Sequence, residues 1–332
     1  RAADKFTIEQ RIERIAGIFN TFRNPDKETV LTPWRVVNMH ISDCLGGWCF
    51  MDEEFKQPLE TPRFVDKGEV TYSVFRADSL IMEINSKSGL YPLLAAYNIY
   101  RNRLEAAKEK YGEVGNAFAM QLWDLTIEQN ILVVCKTPMA RSITRRTLVG
   151  FRDTKVHAEY YKNLIENISQ NSDLVVNTLR DGKNFWGINE NKHMTIDAII
   201  GNPPYQVVDG GGNGAAAIPI YNKFVCTAKD MHPHYISMIM PAKWYGGGRG
   251  LDDFRKMMLN ETHIDYIKDF PNPKSVFPTA NISGGVCFFR WSKTHNSNIA
   301  LFINAFDGTT IESKRQLNEF LQYVENTVKL TQ

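Results

Sequence analysis

The chain has 332 residues, of which 43% are hydrophobic and 23% are charged, a balance typical of soluble globular proteins with one large or two modest domains. No apolar run approaches the roughly 20 residues that cross a bilayer, so we expect a cytoplasmic protein with no membrane partner. The net charge of +2 permits a nucleic-acid partner but lacks the strongly basic footprint that would by itself indicate one.

The first 70 residues are expected to be mainly helical. Ile8, Ile12, Ile15 and Phe19 recur at helical spacing, which predicts an amphipathic helix over 7–20. In the segment "TPWRVVNMHI", Thr32 can cap a second helix and the proline that follows it suits the first helical position. The remainder of this N-terminal segment, residues 43–70, mixes Gly, Pro and charged residues and is expected to be irregular.

From residue 79 onward, short apolar runs alternate with segments of helix length, which indicates a doubly wound, mostly parallel α/β sheet. The predicted strands are 79–85, 131–135, 173–178, 197–202, 235–241, 263–270 and 284–291, and the predicted helices include 91–111, 157–170 and 220–230. The last two strands have no helix between them, so we expect them to be antiparallel neighbours at one edge of a seven-stranded sheet. This core would span 71–292, followed by a C-terminal extension, 293–332, with an amphipathic helix at 313–330.

The stretch "DAIIGNPPYQ" places Asn202, Pro203, Pro204 and Tyr205 directly after a buried strand. Ligands of such sheets bind beyond the carboxyl ends of the strands. The two prolines fix φ and carry no N–H, so the turn is stiff and its oxygen acceptors have no competing donors. The Asn202 amide oxygen and the backbone carbonyls can therefore accept both hydrogens of a conjugated –NH₂ group.

Two acceptors on a conjugated amine favour a nitrogen lone pair that can attack an electrophilic methyl group, and they stabilise the positive charge that develops there. Tyr205 adds a flat face, and stacking a base on such a ring is worth roughly 1–3 kcal/mol. The structural alternative is a strand-ending turn with a packed tyrosine, but the full four-residue motif after a buried strand favours the functional interpretation.

The motif and its surroundings resemble those of S-adenosylmethionine-dependent amino-methyltransferases with a Rossmann-like fold, and the wider pattern is similar to the adenine-specific (N6) DNA methyltransferases of restriction-modification systems. The resemblance covers about residues 30–292. It rests on "VLTPWRVVNMHI" upstream, "MEINSKSGLYPLLAA" at the position of the cofactor loop, and "PIYNKFV", "MIMPAKWYGGGRGLDDFR" and "DFPNPKSVFPTANISGGVCFF" as later motifs. It implies that Asn202, Pro203 and Tyr205 hold an adenine flipped out of double-stranded DNA.

The same resemblance implies a site for S-adenosyl-L-methionine. Glu83 stands where the family has an acid that contacts the methionine amino group, and Gly89 lets the backbone pass close to the cofactor. The full set of expected cofactor contacts is Thr32, Glu83, Asn85, Ser88, Gly89 and Asp181. The glycine-rich loop 209–217 is expected to close over the flipped base.

Two positions depart from the family pattern. The cofactor loop has Lys87 where the family usually has a second glycine, and "ILVVCK" ends without the acid that normally binds the ribose hydroxyls. These departures leave open a decayed methyltransferase core that serves as a DNA-binding or specificity module. Protein-glutamine and ribosomal-RNA methyltransferases carry a similar motif and are a further alternative.

Cysteines and basic residues add few constraints. An odd, scattered set of cysteines argues for reduced thiols, and Cys44 and Cys49 lack the second pair that a zinc site needs, so we expect no metal. The arginines of "RSITRR" are more typical of a solvated face than of a binding site.

The chain begins at Arg1 rather than Met, so we expect a piece of a longer protein, with sequence readout supplied by a missing C-terminal region or by a restriction or specificity subunit.

Overall fold

The computed structural model describes residues 5–21, 31–188, 194–208, 217–280, 282–306 and 309–319. The helices in these ranges are α1 (Ile8–Thr21), α2 (Trp34–Cys44), α3 (Glu69–Val74), α4 (Leu90–Tyr111), α5 (Asn116–Asn130), α6 (Pro138–Val149), α7 (Leu164–Gln170), α8 (Ser172–Arg180), α9 (Tyr221–Asp230) and α10 (Asp252–Leu259). The strands are β1 (Gly47–Met51), β2 (Pro58–Val65), β3 (Ile81–Ser86), β4 (Ile131–Cys135), β5 (His157–Tyr160), β6 (Ala198–Gly201), β7 (Gln206–Val208), β8 (Ala217–Pro219), β9 (Tyr235–Pro241), β10 (Ile264–Phe270), β11 (Val286–Ser292), β12 (Ile299–Phe306) and β13 (Thr309–Gln316).

The main sheet of the described residues has the strand order β13-β12-β10-β11-β9-β6-β3-β4-β5. Neighbours from β9 through β5 are parallel, whereas β11 is antiparallel to both β9 and β10. Every residue of β3, β4, β6 and β9 is buried, because helices cover both faces of the sheet. The expected class, a mostly parallel α/β sheet, is confirmed.

The chain reverses its path across the sheet at β3. From β3 it moves outward through β4 to β5, and it then returns to β6 on the other side of β3. The loops after β3 and β6 therefore leave the sheet side by side and diverge, which is where open α/β sheets form a ligand crevice. The side of the sheet at which the parallel strands end is called the carboxyl edge, and the opposite side the amino edge.

One predicted strand was wrong. Residues 173–178 belong to the helix α8, and the strand next to β4 is instead β5, inside a segment predicted to be helical. The Asn171 side chain caps α8 by accepting from the Leu174 N–H, and the buried residues Val175, Val176 and Leu179 follow helical spacing. A four-residue strand with the sequence HAEY gave no comparable apolar signal.

The far side of the sheet is larger than expected. β10 and β11 are antiparallel neighbours as predicted, but β11 lies between β9 and β10, and β12 and β13 extend the sheet beyond β10. β13 occupies the first part of the segment predicted as a C-terminal helix, and residues 320–332 lie outside the described residues. The segment expected to be irregular contains the β1–β2 hairpin.

The N-terminal helices pack on the same core as the sheet. Ile8 and Ile12 of α1 and Trp34 of α2 are buried in one cluster with residues of β3, β4 and α4, so the boundary at residue 70 stays a prediction. None of the described helices is both long and apolar enough to span a membrane.

Candidate functional site

The loop after β3 forms one wall of the crevice at the carboxyl edge. Glu83 is 7% exposed, and Asn85 is buried with a left-handed φ of 72°. Gly89 also has a positive φ, of 78°, and a Cβ at this position would lie 3.1 Å from the Thr144 Cα of α6. Gly89 is thus required both by its φ and by the close packing of this loop against α6.

The loop after β6 forms the facing wall. Gly201 has a φ of 150°, and a Cβ there would point at the Glu83 side chain, 3.4 Å from Cγ. Asn202, 8% exposed, donates from Nδ2 to the Thr32 hydroxyl at 3.0 Å. The four predicted motif residues therefore begin directly beside the predicted cofactor acid, as the sequence implied.

Unpaired polar atoms converge on this crevice. The buried atoms Glu83 Oε2, both amide atoms of Asn85, Asn202 Oδ1 and the Tyr205 hydroxyl have no hydrogen-bond partner among the described residues. Native proteins leave few buried polar groups unpaired, so such a concentration at two adjacent strand ends indicates a polar ligand. A carboxylate and amide groups suit an ammonium and hydroxyls, and an amide oxygen suits an –NH₂ group.

Burial also changes the electrostatics of the crevice. It raises the pKa of Glu83 to about 7, and a hydrogen bond with the Ser86 side chain and the positive charge of Lys87 oppose that rise. Burial likewise raises the pKa of Cys135 to about 12 and holds the pKa of Tyr91 well above its usual range. Glu83 is therefore the group of this wall that changes charge near neutral pH.

We expect the affinity for a cofactor that carries an ammonium group to rise with pH between 5.5 and 7.5. Only the ionised Glu83 carboxylate attracts the ammonium. At a pKa of about 7, the ionised fraction of Glu83 grows by roughly twentyfold between pH 5.5 and 7.5. The α-amino group of the cofactor, with a pKa of about 8, stays mostly protonated over the same range. Isothermal titration with S-adenosylhomocysteine at several pH values measures the effect. An affinity that is flat across the window would show that Glu83 does not meet the ammonium.

The structure brings most of the predicted site residues together. Thr32 was expected to cap α2, but the N-cap residue is Pro33 with no side-chain cap, so the Thr32 hydroxyl is available to hold Asn202. Ser88 is buried, and its carbonyl accepts from the Thr147 hydroxyl at 2.6 Å, so its backbone fixes the loop on α6.

Asp181 is not brought to this crevice. Its carboxylate accepts hydrogen bonds from the backbone and side-chain amides of Asn184. The preceding Arg180 donates to the carbonyl of Met231, just before β9 begins, which places this turn at the amino edge. The expectation that Asp181 contacts the cofactor was therefore wrong.

Gly201 is a residue of the crevice that was not predicted from sequence, although a glycine directly before Asn-Pro signals a special backbone angle. We expect Gly201→Ala to destabilise the fold by about 2 kcal/mol, because L-residues are strained at a φ of 150°. Urea unfolding measures the change. The matched control is Gly17→Ala in α1, where a Cβ meets nothing within 4 Å. Helix propensity predicts that this change raises the free energy of unfolding by up to about 1 kcal/mol. Equal effects of the two changes would contradict the assignment of backbone strain to position 201.

The departures from the family pattern are present in the structure. Lys136 follows β4 and is exposed, and the nearby acid Glu159 on β5 is ion-paired with Arg141 at 3.0 Å. No acid among the described residues thus follows β4 directly, where the family places its ribose contact. The loop expected to close over the base, 209–217, lies outside the described residues except for its last position.

Arg145 and Arg146 of "RSITRR" are engaged at the amino edge, whereas Arg141 is ion-paired with Glu159. A cavity of about 280 Å³ at the C-terminal end of α6 is lined in part by Arg145 and Arg146. Arg145 donates to the Val156 carbonyl and Arg146 to the Gly150 carbonyl, so both tie down the end of α6. The described residues contain no group of three or more His, Cys, Asp or Glu placed to hold a metal ion.

Comparison with known proteins adds independent support. Residues 129–277 match the family model described as the Eco57I restriction-modification methylase, a range that includes β4 through β10 and the Asn202–Tyr205 motif. An uncharacterised adenine-specific methylase of Mycoplasma pneumoniae is 34% identical over 142 residues, which are 41% of this chain and 33% of that protein.

A solved structure agrees on the fold. A modification subunit of a putative type I restriction enzyme from Vibrio vulnificus superposes with a TM-score of 0.52 at 10% identity, over 97% of this chain and 59% of that one. The chain thus spans about a third of the length of the curated relative and about three fifths of the solved structure. The expected resemblance to adenine-specific methylases of restriction-modification systems is confirmed, and S-adenosylmethionine as the expected methyl donor agrees with it.

Proposed function

We propose that this chain is the catalytic core of a site-specific DNA methyltransferase, which transfers a methyl group from S-adenosylmethionine to N6 of an adenine flipped out of duplex DNA within a restriction-modification system. The observation that carries the proposal is the buried Asn202 Oδ1, which has no partner among the described residues and belongs to the residue after Gly201, which lies against the Glu83 side chain. The family match over the same motif supports it.

The residues of the β6 loop bind and orient the base. Asn202 Oδ1 accepts one hydrogen of the adenine amino group, and it is pre-oriented because Thr32 holds the other end of the amide. Pro203 and Pro204 stiffen the turn and add no N–H that could compete. Tyr205 offers its ring for stacking, which offsets part of the few kcal/mol needed to unstack the base.

The residues of the β3 loop fit the methyl donor. The unpaired atoms of Glu83 and Asn85 suit the ammonium and other polar groups of S-adenosylmethionine, which supplies an electrophilic methyl group on a sulfonium when bound. Asn202 stabilises the positive charge that develops on the amine during transfer, since a preorganised acceptor in a buried site needs no reorganisation. The proton that N6 then loses passes to solvent.

A band of basic side chains favours a nucleic-acid substrate over a peptide. Lys136, Lys162, Lys243, Arg249 and Lys274 all lie in loops that leave the carboxyl edge, and none of these side chains is hydrogen-bonded or ion-paired within the described ranges. At the amino edge, by contrast, Arg76 pairs with Asp197 and Lys229 with Glu261. Unpaired cations around the crevice suit phosphates on either side of a flipped nucleotide.

Sequence readout needs side chains in the DNA grooves. We assign it to another part of the protein or to a specificity subunit, because the relatives are considerably longer than this chain. The test is methyl transfer from labelled S-adenosylmethionine to mixed-sequence duplex DNA with the recognition part present, followed by nucleoside analysis. We expect N6-methyladenine. Label in RNA, in a glutamine-containing peptide or in cytosine would contradict the proposal.

The decayed-core alternative is favoured by Lys87 and by the missing acid after β4. It predicts DNA binding without cofactor binding. A titration with S-adenosylmethionine separates the two functions, since the proposed enzyme must bind it even in the absence of DNA.

A further inference from the structure

Lys87 lies in the short loop that joins β3 to α4. It is half-buried, whereas the corresponding lysine after β4, Lys136, is exposed. Its positive charge acts on Glu83 across the same loop and favours the ionised carboxylate. Lys87 thus lies in the chain between Glu83 on β3 and the N-terminus of α4, at the carboxyl edge of the sheet.

The helix that follows the loop adds a second source of positive potential. α4 is 22 residues long and begins at Leu90, with Gly89 as its N-cap and no side-chain cap. A helix N-terminus carries partial positive charge and open N–H groups, which attract anions. On its own such a terminus indicates nothing, but here it adjoins the unpaired buried atoms of Glu83 and Asn85.

The charges of this wall match the methionine end of the cofactor. That end carries an ammonium and a carboxylate on the same carbon. Glu83 can meet the ammonium, and a wall that contained only Glu83 would repel the carboxylate next to it. A cation on the other side of the loop removes that repulsion and supplies an N–H donor to the carboxylate.

We propose that Lys87 and the N-terminus of α4 bind the carboxylate of the cofactor, so that Lys87 replaces a contact that a glycine-rich loop would make with its backbone. The inference rests on the proposed function only in its choice of cofactor. On this proposal, the lysine at position 87 is a cofactor-binding residue and not a sign of lost function.

The experiment compares two ligands that differ in the amino-acid end. S-adenosylhomocysteine carries the carboxylate, and its decarboxylated analogue keeps the amine but lacks it. We expect Lys87→Ala to weaken binding of S-adenosylhomocysteine by about tenfold, as a hydrogen bond to a charged group is lost, and to leave binding of the decarboxylated analogue within twofold. Lys87→Arg should retain most of the preference for the carboxylate.

Lys136→Ala is the matched control, because the two lysines follow neighbouring strands at adjacent positions. It should leave the ratio of the two affinities unchanged. Equal weakening of both ligands by Lys87→Ala would overturn the proposal, as would a wild-type protein that binds the two ligands equally. Failure of methyl transfer to DNA with the carboxylate preference intact would count against the proposed function alone.

Discussion

Asn202→Ala is expected to lower kcat for methyl transfer by about a thousandfold and to leave the affinity for S-adenosylhomocysteine within about twofold. The alanine removes the acceptor that stabilises developing charge on the amine, and losing one such preorganised group costs up to about 10³ in rate. The side chain donates to Thr32 and its Oδ1 has no partner in the described structure, so the change removes a donor from the Thr32 hydroxyl and an acceptor from the crevice.

Single-turnover methylation and cofactor titration, run on the same preparation, separate the two effects. Asn167→Ala is the control, because within the described structure the Asn167 side chain on α7 donates only to the nearby Lys162 carbonyl, so the change should affect neither measurement. Activity retained in Asn202→Ala would refute the assigned role, and parallel loss of cofactor binding would mean that Asn202 belongs to the cofactor wall.

Glu83→Gln is expected to weaken cofactor binding by roughly a hundredfold at pH 8, where the wild-type carboxylate is ionised. A hydrogen bond to a charged group contributes up to about 3 kcal/mol, and the buried site gives solvent little access to screen it. The pH dependence expected for the wild type between 5.5 and 7.5 should disappear in this variant, because glutamine does not titrate. Calorimetric titrations at pH 5.5, 7.5 and 8 measure the loss of affinity and the loss of its pH dependence.

Glu159→Gln provides the comparison for Glu83. Glu159 also lies near the carboxyl edge and its pKa is also raised by burial, but its carboxylate is ion-paired with Arg141. We expect a change in cofactor affinity of less than threefold. If Glu159→Gln weakened binding as strongly as Glu83→Gln, the cofactor would have to lie across β4 and β5, and the role assigned to Glu83 would be wrong.

The position of the Asn202–Tyr205 motif at a strand end could be predicted from sequence because the signals for it are local. Four consecutive residues set both the stiffness of the turn and the direction of the acceptors, and the preceding apolar run identifies the strand end. The same holds for Glu83, which lies in an unambiguous buried strand, and for Gly89, which follows that strand. Both strand ends were placed correctly because a run of buried apolar residues marks each strand.

The position of Asp181 could not be predicted from neighbouring residues. The side of the sheet on which a loop emerges depends on whether the segment before it is a strand or a helix. The family resemblance implied that Asp181 contacts the cofactor, which requires a position at the carboxyl edge, whereas the helix α8 carries Asp181 to the amino edge. The position of β11 was missed for a related reason, since strand order follows from long-range pairing that apolar periodicity does not encode.

The Thr32–Asn202 hydrogen bond joins residues 170 positions apart in the chain. During synthesis the threonine emerges from the ribosome long before its partner, so the two halves of the catalytic apparatus mature at different times. A shortened protein that started after α2 would retain every strand of the main sheet and the whole four-residue motif, yet its asparagine amide could rotate away from the productive orientation. Because α1 and α2 also bury Ile8, Ile12 and Trp34 in one cluster with residues of β3, β4 and α4, the N-terminal segment serves the core of the fold as well as the orientation of Asn202.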